Sequence, residues 1–113
     1  MDTTSPSDSD ARHAVILLHG LCGTPLELGA IPQALCRLGY TVSPLEILGY
    51  SGSQSQTAAT LSWEDWSESV DAEITRLYVD HDTVSICGLS MGATLGLAAC
   101  AQRSDVVALV ALS

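Results

Sequence analysis

A serine between two glycines is the residue of this sequence that is best suited to chemistry. Ser90 lies in a Gly-x-Ser-x-Gly segment, residues 88–92, between a strand-like run and a helix-like run. On a sharp turn from strand to helix, such a serine holds its hydroxyl above the sheet edge, and Gly88 and Gly92 relieve the crowding on either side. The following helix points its N–H groups and positive dipole end at the serine, where they can stabilise an oxyanion. The pattern predicts a nucleophilic serine.

The pentapeptide alone also fits a glycine-rich turn in another kind of α/β protein. A dinucleotide-binding turn is a weak alternative, because Gly88-x-Ser90 lacks the second glycine of Gly-x-Gly-x-x-Gly. A phosphate-binding P-loop is excluded, since the chain contains no lysine. The elements that flank the serine therefore have to decide between these alternatives.

Four short runs predict the strands that position this serine. The first and the fourth are continuously apolar, and the first is typical of a strand that is buried on both faces of a parallel sheet. The second run is closed by Pro44. The four runs are residues 14–18, 40–43, 83–87 and 106–112.

Three segments with helical spacing connect these strands. In the first, Thr24 and Glu27 form a capping-box pattern with Pro25 at the first helical position, and Gly39 fits the position after the helix. The second helix carries an amphipathic face with two tryptophans, which we expect to pack in the core. The third helix follows Ser90 and is apolar nearly all round.

Strands and helices that alternate in this way predict an α/β fold with a parallel sheet and right-handed crossovers, in the order β-α-β-α-β-α-β. Sites in such sheets lie at the carboxyl ends of the strands. Ser90 and the segment 19–23 both follow carboxyl ends, so we expect both to face one crevice. A long connection, residues 45–60, follows the second strand and is expected to be functional or mobile.

The charge balance argues against nucleic acid and anionic membrane surfaces as partners. The chain carries 13 acidic residues against four arginines, which gives a formal net charge of −9. Its cysteines are far apart and mostly in apolar settings, which predicts reduced, buried thiols in a cytoplasmic protein, with Cys22 as an exception in a loop near Ser90. They are Cys22, Cys36, Cys87 and Cys100.

The amino-terminal residues, 1–12, predict a disordered tail, because they are mostly Ser, Thr, Asp and Pro and lack the features of a signal peptide. Residues 13–113 then form one domain at most. No apolar run reaches transmembrane length. No metal-ligand cluster is visible, and no cofactor is implied.

Several segments together resemble the α/β-hydrolases, and among these the bacterial carboxylesterases and monoacylglycerol lipases. They are His19-Gly20 after the first strand, the loop 44–49 after the second, the tryptophan-containing helix, and Gly-Leu-Ser-Met-Gly at residues 88–92. The resemblance covers residues 15–112. It implies an α/β-hydrolase fold that is partial here, because the strands expected after residue 112 are missing.

The resemblance also implies roles for individual residues. Ser90 would be the nucleophile, and the backbone N–H groups of Leu21 and Met91 would form the oxyanion hole. His19 would brace the oxyanion loop rather than act as the catalytic base. The loop after the second strand usually reads Gly-His-Gly in this family. Here it reads Gly49-Tyr50-Ser51.

The acid and the histidine of the triad are expected on loops after later strands, so this chain carries neither. His13, His81, Asp82 and Asp105 precede their strands and would lie at the opposite edge of the sheet. We therefore expect the amino-terminal part of a longer serine ester hydrolase, which transfers an acyl group through a serine to water. The chain alone is expected to be inactive.

The substrate expected from the resemblance is a small ester, and Leu21, Met91 and residues 45–60 suggest an apolar acyl group. The fourth strand ends as an open apolar edge, which predicts pairing with another chain. Two alternatives stay open. One is a non-catalytic hydrolase remnant that acts as a binding module. The other is a thioesterase, acyltransferase or perhydrolase on the same fold.

Overall fold

The computed structural model describes residues 12–20, 23–47 and 62–113 of the 113-residue chain. Residues 1–11 of the predicted tail and residues 48–60 of the predicted connection lie outside the described residues. The predicted alternation of strands and helices is confirmed. In chain order the elements are β1 (His13–Leu18), the 3₁₀ helix η1 (Pro25–Leu28), α1 (Ile31–Arg37), β2 (Thr41–Leu45), α2 (Trp63–Leu77), β3 (Thr83–Leu89), α3 (Met91–Gln102) and β4 (Val106–Leu112).

The four strands form one parallel sheet in the order β2-β1-β3-β4. Leu18, at the end of β1, is in register with Leu45 of β2 and with Gly88 of β3. Because all strands run in the same direction, the segments that follow β1, β2 and β3 leave the sheet at the same edge. This is the parallel α/β architecture that the apolar runs predict.

The core lies on both faces of this sheet. On one face, Ile16 and Ile86 are buried against Ile74 of α2 and Leu95 of α3. On the other face, a smaller cluster that includes Val15, Leu17 and Cys87 packs under Leu28 and α1. β1 thus buries side chains on both faces, which explains why its sequence is a continuous apolar run.

The second face is only partly covered. An apolar groove of about 450 Å³ lies between α1 and the β3–β4 half of the sheet, lined by residues that include Leu35, Cys87 and Val110. Val110 is 53% exposed at its rim. Within the described residues, β4 pairs only with β3.

The prediction of the first helix is wrong in one respect, because the segment forms two elements, η1 and α1, and not one continuous helix. Gly29 adopts φ +58° and ends η1, a conformation that glycine reaches without strain. Pro32 then occupies the first turn of α1. A proline there has no N–H to donate and would clash with the carbonyl four residues earlier in one continuous helix. Glycine and proline three residues apart therefore separate the two elements.

Four strand boundaries also differ from prediction, and two of them only by one residue, at the starts of β1 and β2. β2 does not stop at Pro44 but continues to Leu45. A proline is tolerated here because, among the described residues, β2 has a strand neighbour on one side only. β3 extends two residues beyond the predicted end, since Gly88 and Leu89 pair with the end of β4.

The prediction of buried cysteines holds for Cys87 but is wrong for Cys36, which is exposed. Cys36 follows Leu35, which packs on the sheet, so the next side chain of the helix turns outward. The expected core packing of the tryptophans is found for Trp66, which is half-buried against the main core, whereas Trp63 is 36% exposed. Cys22 lies outside the described residues.

Candidate active site

Ser90 occupies a strained turn between β3 and α3. Its φ and ψ are 57° and −115°, and it is the only described non-glycine residue with positive φ. Its N–H donates to the carbonyl of Leu112 at 2.8 Å, and its carbonyl accepts from the N–H of Ala93 at 2.9 Å. The side chain is exposed at the edge where the strands end. Such backbone strain costs about 1–3 kcal/mol and persists only where the surrounding structure imposes it.

Gly88 and Gly92 are required by the close approach of backbone segments. A Cβ at Gly88 would lie 2.4 Å from the carbonyl oxygen of Gly92, and a Cβ at Gly92 would lie 2.3 Å from the carbonyl oxygen of Leu18. Both neighbours are main-chain atoms, so neither can rotate away. Because Gly88 and Gly92 have no side chains, the first turn of α3 can pack directly against the end of β1. This backbone contact sets the position of Ser90.

Gly20 lies directly beside Ser90. A Cβ at Gly20 would be 3.6 Å from the Cβ of Ser90 and 3.7 Å from the carbonyl oxygen of Leu89. The segment after β1 and the turn after β3 therefore face the same crevice, as predicted from the carboxyl ends of parallel strands. Leu21, which was predicted to supply an oxyanion-hole N–H, lies outside the described residues.

The N–H of Met91 is the first of α3, so it has no acceptor four residues earlier in the helix. It directly follows Ser90, and the positive end of the helix dipole lies at the same position. An N–H group in this place can donate to a negatively charged oxygen bound to the serine.

His19 is completely buried, and each of its ring nitrogens has a backbone partner. Nε2 accepts from the N–H of Ile47 at 3.0 Å, so this nitrogen carries no proton. Nδ1 then carries the proton and donates to the carbonyl of Gly20 at 2.9 Å. His19 is thus a neutral imidazole that joins the segment after β1 to the chain that follows β2.

The other two histidines of the chain lie at the opposite edge of the sheet. His13 begins β1 and bonds through Nδ1 to the hydroxyl of Thr83. His81 precedes β3, and its Nδ1 donates to the carbonyl of Leu77 at 2.9 Å. β3 has seven residues, a span of about 20 Å, between that edge and Ser90.

The carboxylates predicted to be remote from the site are engaged elsewhere. Asp82 accepts from the backbone N–H of Arg12, before β1. Asp105 pairs with Arg103 at 2.8 Å, and hydrogen bonds from this guanidinium lower the pKa of Asp105. Arg103 also reaches Asp71 of α2. These pairs connect elements of the fold at a distance from Ser90.

A second charged cluster ties β2 to α2. Glu73 accepts from the hydroxyl of Ser43 at 2.5 Å and from Arg76 at 2.8 and 2.5 Å. The hydrogen bonds from Arg76 hold the pKa of Glu73 below its usual value of 4.5, against the opposing effect of burial. Near Ser90, burial raises the pKa of the Cys87 thiol, which disfavours a thiolate there.

Within the described ranges, no group of three or more His, Cys, Asp and Glu side chains is placed to hold a metal ion. No helix in the described part of the chain is both long and apolar enough to cross a membrane.

Comparison with known proteins identifies the family. Residues 9–113 match the Hydrolase_4 family profile, described as serine aminopeptidase, S33. The chain belongs to this α/β-hydrolase family. The match extends over both glycine-flanked segments of the site, so the resemblance inferred from the motifs is confirmed.

Two α/β-hydrolase relatives are lipolytic enzymes. The chain is 30% identical over 99 residues to a thermostable monoacylglycerol lipase from Bacillus sp. strain H-257, a match that covers 88% of this chain and 39% of the lipase. It superposes on a structure from work on LipS and LipT, metagenome-derived lipolytic enzymes, with a TM-score of 0.81 and 26% identity, covering 90% of this chain and 42% of that one. By resemblance, the chain groups with carboxylic ester hydrolases.

An extracellular α/β-hydrolase from a Paenibacillus species shares the fold, with a TM-score of 0.69 and 22% identity, over 87% of this chain and 39% of that one. The parallel sheet described here is therefore part of an α/β-hydrolase fold, as predicted. The chain spans about two fifths of the length of the relatives it matches.

The structure brings together most of the residues that the sequence singles out. The predicted residues that meet at this edge are Ser90, Met91, Gly88, Gly92, Gly20 and His19. Sequence reasoning missed two contacts, the Leu112 carbonyl on the N–H of Ser90 and the Glu27 carboxylate on the N–H of Gly20. Glu27 is the only acidic residue between residues 13 and 45, which is the signal that could have drawn attention to it.

Proposed function

We propose that this chain carries the nucleophile and the oxyanion donors of a serine ester hydrolase. The observation that supports this most strongly is the backbone of Ser90, a strained non-glycine turn between β3 and α3 with Gly20 beside it. Strain of this kind costs stability and recurs at functional sites. A glycine-rich turn with no chemical role would have no need of a serine at φ 57°.

In the proposed reaction, the Ser90 oxygen attacks the acyl carbon of an ester. The serine proton passes to a base, and the carbonyl oxygen becomes an oxyanion that accepts hydrogen bonds from the N–H groups of Met91 and Leu21. Collapse of this intermediate breaks the ester bond, and the alcohol leaves with the proton returned by the base. Water then attacks the acyl-serine, and the acid is released with Ser90 restored.

The base in this proposal is a histidine outside this chain. His19 keeps both ring nitrogens in backbone hydrogen bonds, and a proton added at Nε2 would face the N–H of Ile47. His13 and His81 lie at the far edge of the sheet. Loss of the histidine of a triad lowers kcat by roughly 10⁴-fold or more. We therefore propose that residues 1–113 alone have little activity.

Because the base must come from outside this chain, the same outside segment is a candidate to cover the partly exposed face of the sheet. The occupant that we propose for the apolar groove and the open side of β4 is the polypeptide segment that bears the triad histidine and acid. Val107 and Val110 of β4 are 58% and 53% exposed, and the relatives are more than twice as long as the chain. A strand added parallel to β4 would place its carboxyl end at the edge where Ser90 lies and where a base is needed.

An ester with an apolar acyl group is the proposed substrate, because one relative is a monoacylglycerol lipase, the other comes from work on lipolytic enzymes, and the groove beside Cys87 is apolar. The family description names an aminopeptidase, and the elbow itself serves ester, thioester and amide chemistry alike. Turnover of p-nitrophenyl esters, acyl thioesters and aminoacyl p-nitroanilides, compared on one preparation, separates these substrates.

Chemical rescue tests the proposal on the chain as it exists. Purified residues 1–113 are treated with an alkyl fluorophosphonate, with and without molar imidazole as a free base, and the adduct is located by mass spectrometry. We expect slow labelling of Ser90 that imidazole accelerates, and no adduct in the tryptic peptide 77–103 of Ser90→Ala.

Two results would overturn parts of the proposal. Labelling at a serine other than Ser90, or equal labelling in Ser90→Ala, would refute the nucleophile and favour a non-catalytic binding module. Rapid, stoichiometric labelling of Ser90 without imidazole would refute the proposed inactivity of the isolated chain.

A further inference from the structure

Gly20 leaves an open position beside the proposed nucleophile. A Cβ at Gly20 would lie 3.6 Å from the Cβ of Ser90. The other two atoms nearest to it would be Oε1 of Glu27 at 3.4 Å and the carbonyl oxygen of Leu89 at 3.7 Å. These are ordinary van der Waals distances, so the described residues admit a methyl-sized group here. Unlike the two glycines that flank Ser90, Gly20 leaves space that a substrate group can use.

This open position is bordered by oxygen atoms. Two of the three described atoms nearest to it are oxygens, and one of them belongs to the carboxylate of Glu27. The distances to the position also limit how far the carboxylate is from the nucleophile. Oε1 of Glu27 and the Cβ of Ser90 are at most about 7 Å apart. A substrate bound at Ser90 therefore has its reacting bond close to a negative charge.

The carboxylate of Glu27 is held in this place by the backbone. Its Oε1 accepts from the N–H of Gly20 at 2.8 Å. A Cβ at Gly23 would lie 2.2–2.3 Å from the carboxylate atoms, so the carboxylate packs against the backbone there. The amide oxygen of a glutamine could accept the same hydrogen bond. These contacts explain why an acceptor is present at residue 27, but they do not explain why it is charged.

No cation neutralises Glu27 within the part of the chain that the structure describes. The chain has four arginines and no lysine, and all four arginines lie in the described ranges. Arg76 and Arg103 pair with other carboxylates, and Arg12 donates to the carbonyl of Asp80 at 3.1 Å. The negative charge beside Ser90 is thus available to a charged group of a substrate.

We propose that Glu27 is a specificity-determining residue, which favours esters that carry an ammonium group next to the reacting bond and disfavours esters with a negative charge there. This inference rests on the proposed function, because it names a substrate class for the site of Ser90. It assigns the preference to the charge of Glu27, whereas the hydrogen bond to Gly20 needs only an acceptor oxygen.

The distance sets the size of the expected preference. A positive charge about 7 Å from the carboxylate gains about three- to fiftyfold in rate, between the screening of bulk water and that of a protein surface. Glu27 is exposed, so dissolved ions screen its charge and the preference should weaken as the ionic strength rises.

Two phosphonate probes of the same shape test this preference on the full chain. Both are p-nitrophenyl methylphosphonates and therefore have the same leaving group. One carries a trimethylammonioethoxy group, and the other carries a neutral tert-butylethoxy group in which carbon replaces the nitrogen. Labelling of Ser90 is followed by mass spectrometry with imidazole as the free base and little added salt. The measured quantity is the ratio of the two labelling rates, cationic over neutral, in which changes in folding or in the base cancel.

Two variants separate the charge of Glu27 from the net charge of the chain. Glu27→Gln keeps an acceptor for the N–H of Gly20 and removes the charge. Glu68→Gln, the matched control, removes an exposed charge of α2 that lies beside Gln102, at the far end of α3 from Ser90. We expect the ratio to fall about three- to fiftyfold in Glu27→Gln and to stay unchanged in Glu68→Gln. In the wild-type chain, the ratio should fall as sodium chloride is added.

The outcomes distinguish this inference from the proposed function. If the wild-type chain is labelled at Ser90 and Glu27→Gln has the same ratio, the role of Glu27 is refuted and the function stands. An equal fall in Glu68→Gln would also refute it, because the net charge would then attract the probe. If Glu27→Gln does not fold, a wild-type ratio that is independent of salt refutes the role. If neither probe labels Ser90 of the wild-type chain, the function fails and the role of Glu27 fails with it.

Discussion

Replacing Ser90 with glycine should stabilise the chain, although it removes the proposed nucleophile. The φ of 57° and ψ of −115° cost a serine about 1–3 kcal/mol, and glycine reaches positive φ freely. Part of this gain is offset by about 0.4–1 kcal/mol, because glycine loses more backbone entropy on folding than serine does. The Ser90 side chain is exposed, so its loss changes little else. The net expectation is a gain of about 1 kcal/mol.

Two control variants make this prediction specific to strain. Ser90→Ala keeps a Cβ and therefore keeps the strain, so its free energy of unfolding should stay close to that of the wild-type chain. Gly29 has φ +58°, and a Cβ there would meet nothing within 4 Å. Gly29→Ala should therefore lose about 1 kcal/mol through its backbone conformation alone.

Urea unfolding followed by tryptophan fluorescence measures all three variants. Trp66 is half-buried against the core and reports loss of packing. A gain of about 1 kcal/mol in a domain of this size raises the thermal midpoint by roughly 3–6 °C. If Ser90→Gly were no more stable than Ser90→Ala, the turn would not be strained, and the strongest support for a functional serine would be lost.

Three further predictions concern the surroundings of the site. Gly92→Ala should lose about 1–3 kcal/mol or more of the free energy of unfolding in urea, because its Cβ would lie 2.3 Å from a carbonyl oxygen of β1. A Cβ at Gly96 would meet only side-chain atoms, at 2.8 and 3.1 Å, so Gly96→Ala should change this free energy by less than about 1 kcal/mol. Equal losses in the two variants would contradict this prediction. The pKa of Glu73 is lowered by Arg76, so its contribution to stability is present above pH 4.5 and is lost as the pH falls through the lower folded-state pKa. The urea midpoint of the wild-type chain should accordingly exceed that of Glu73→Gln at pH 6, with the gap closing towards pH 3; a gap that stays constant would exclude this linkage. His19→Phe should lose about 1–3 kcal/mol in thermal unfolding, because the N–H of Ile47 loses its acceptor and the Gly20 carbonyl keeps only the N–H of Gly23. An unchanged melt would show that the buried imidazole does not brace the fold.

The order of the elements and the place of Ser90 follow from local sequence. Continuous apolar runs identify β1 and β4. For β1 the reason is burial on both faces, which needs apolar side chains at successive positions. The glycines at 88 and 92 predict close backbone approach on either side of the serine, and the structure shows such contacts at 2.4 and 2.3 Å. Features that depend on one residue type meeting a requirement of its local backbone, as these glycines do, can be predicted from the sequence alone.

The remaining features depend on partners that are distant in sequence. β3 extends to Leu89 only because the end of β4 pairs with it. Glu27 obeys the capping-box pattern, but a backbone N–H seven residues earlier competes for its carboxylate. Pro32 inside the predicted helix is a local signal for the break between η1 and α1, because proline has no N–H to donate. The helical spacing of the apolar residues continues across this break and hides it.

The most direct test of the central claim is activity-based labelling of the native protein in cells that make it. An alkyl fluorophosphonate probe is added, and the tryptic peptide 77–103 is examined for an adduct together with the intact mass of the labelled protein. We predict an adduct on Ser90 within minutes, on a protein heavier than the 11.8 kDa of this chain. Recovery of the same peptide unmodified after saturating treatment would contradict the assignment of Ser90 as the nucleophile.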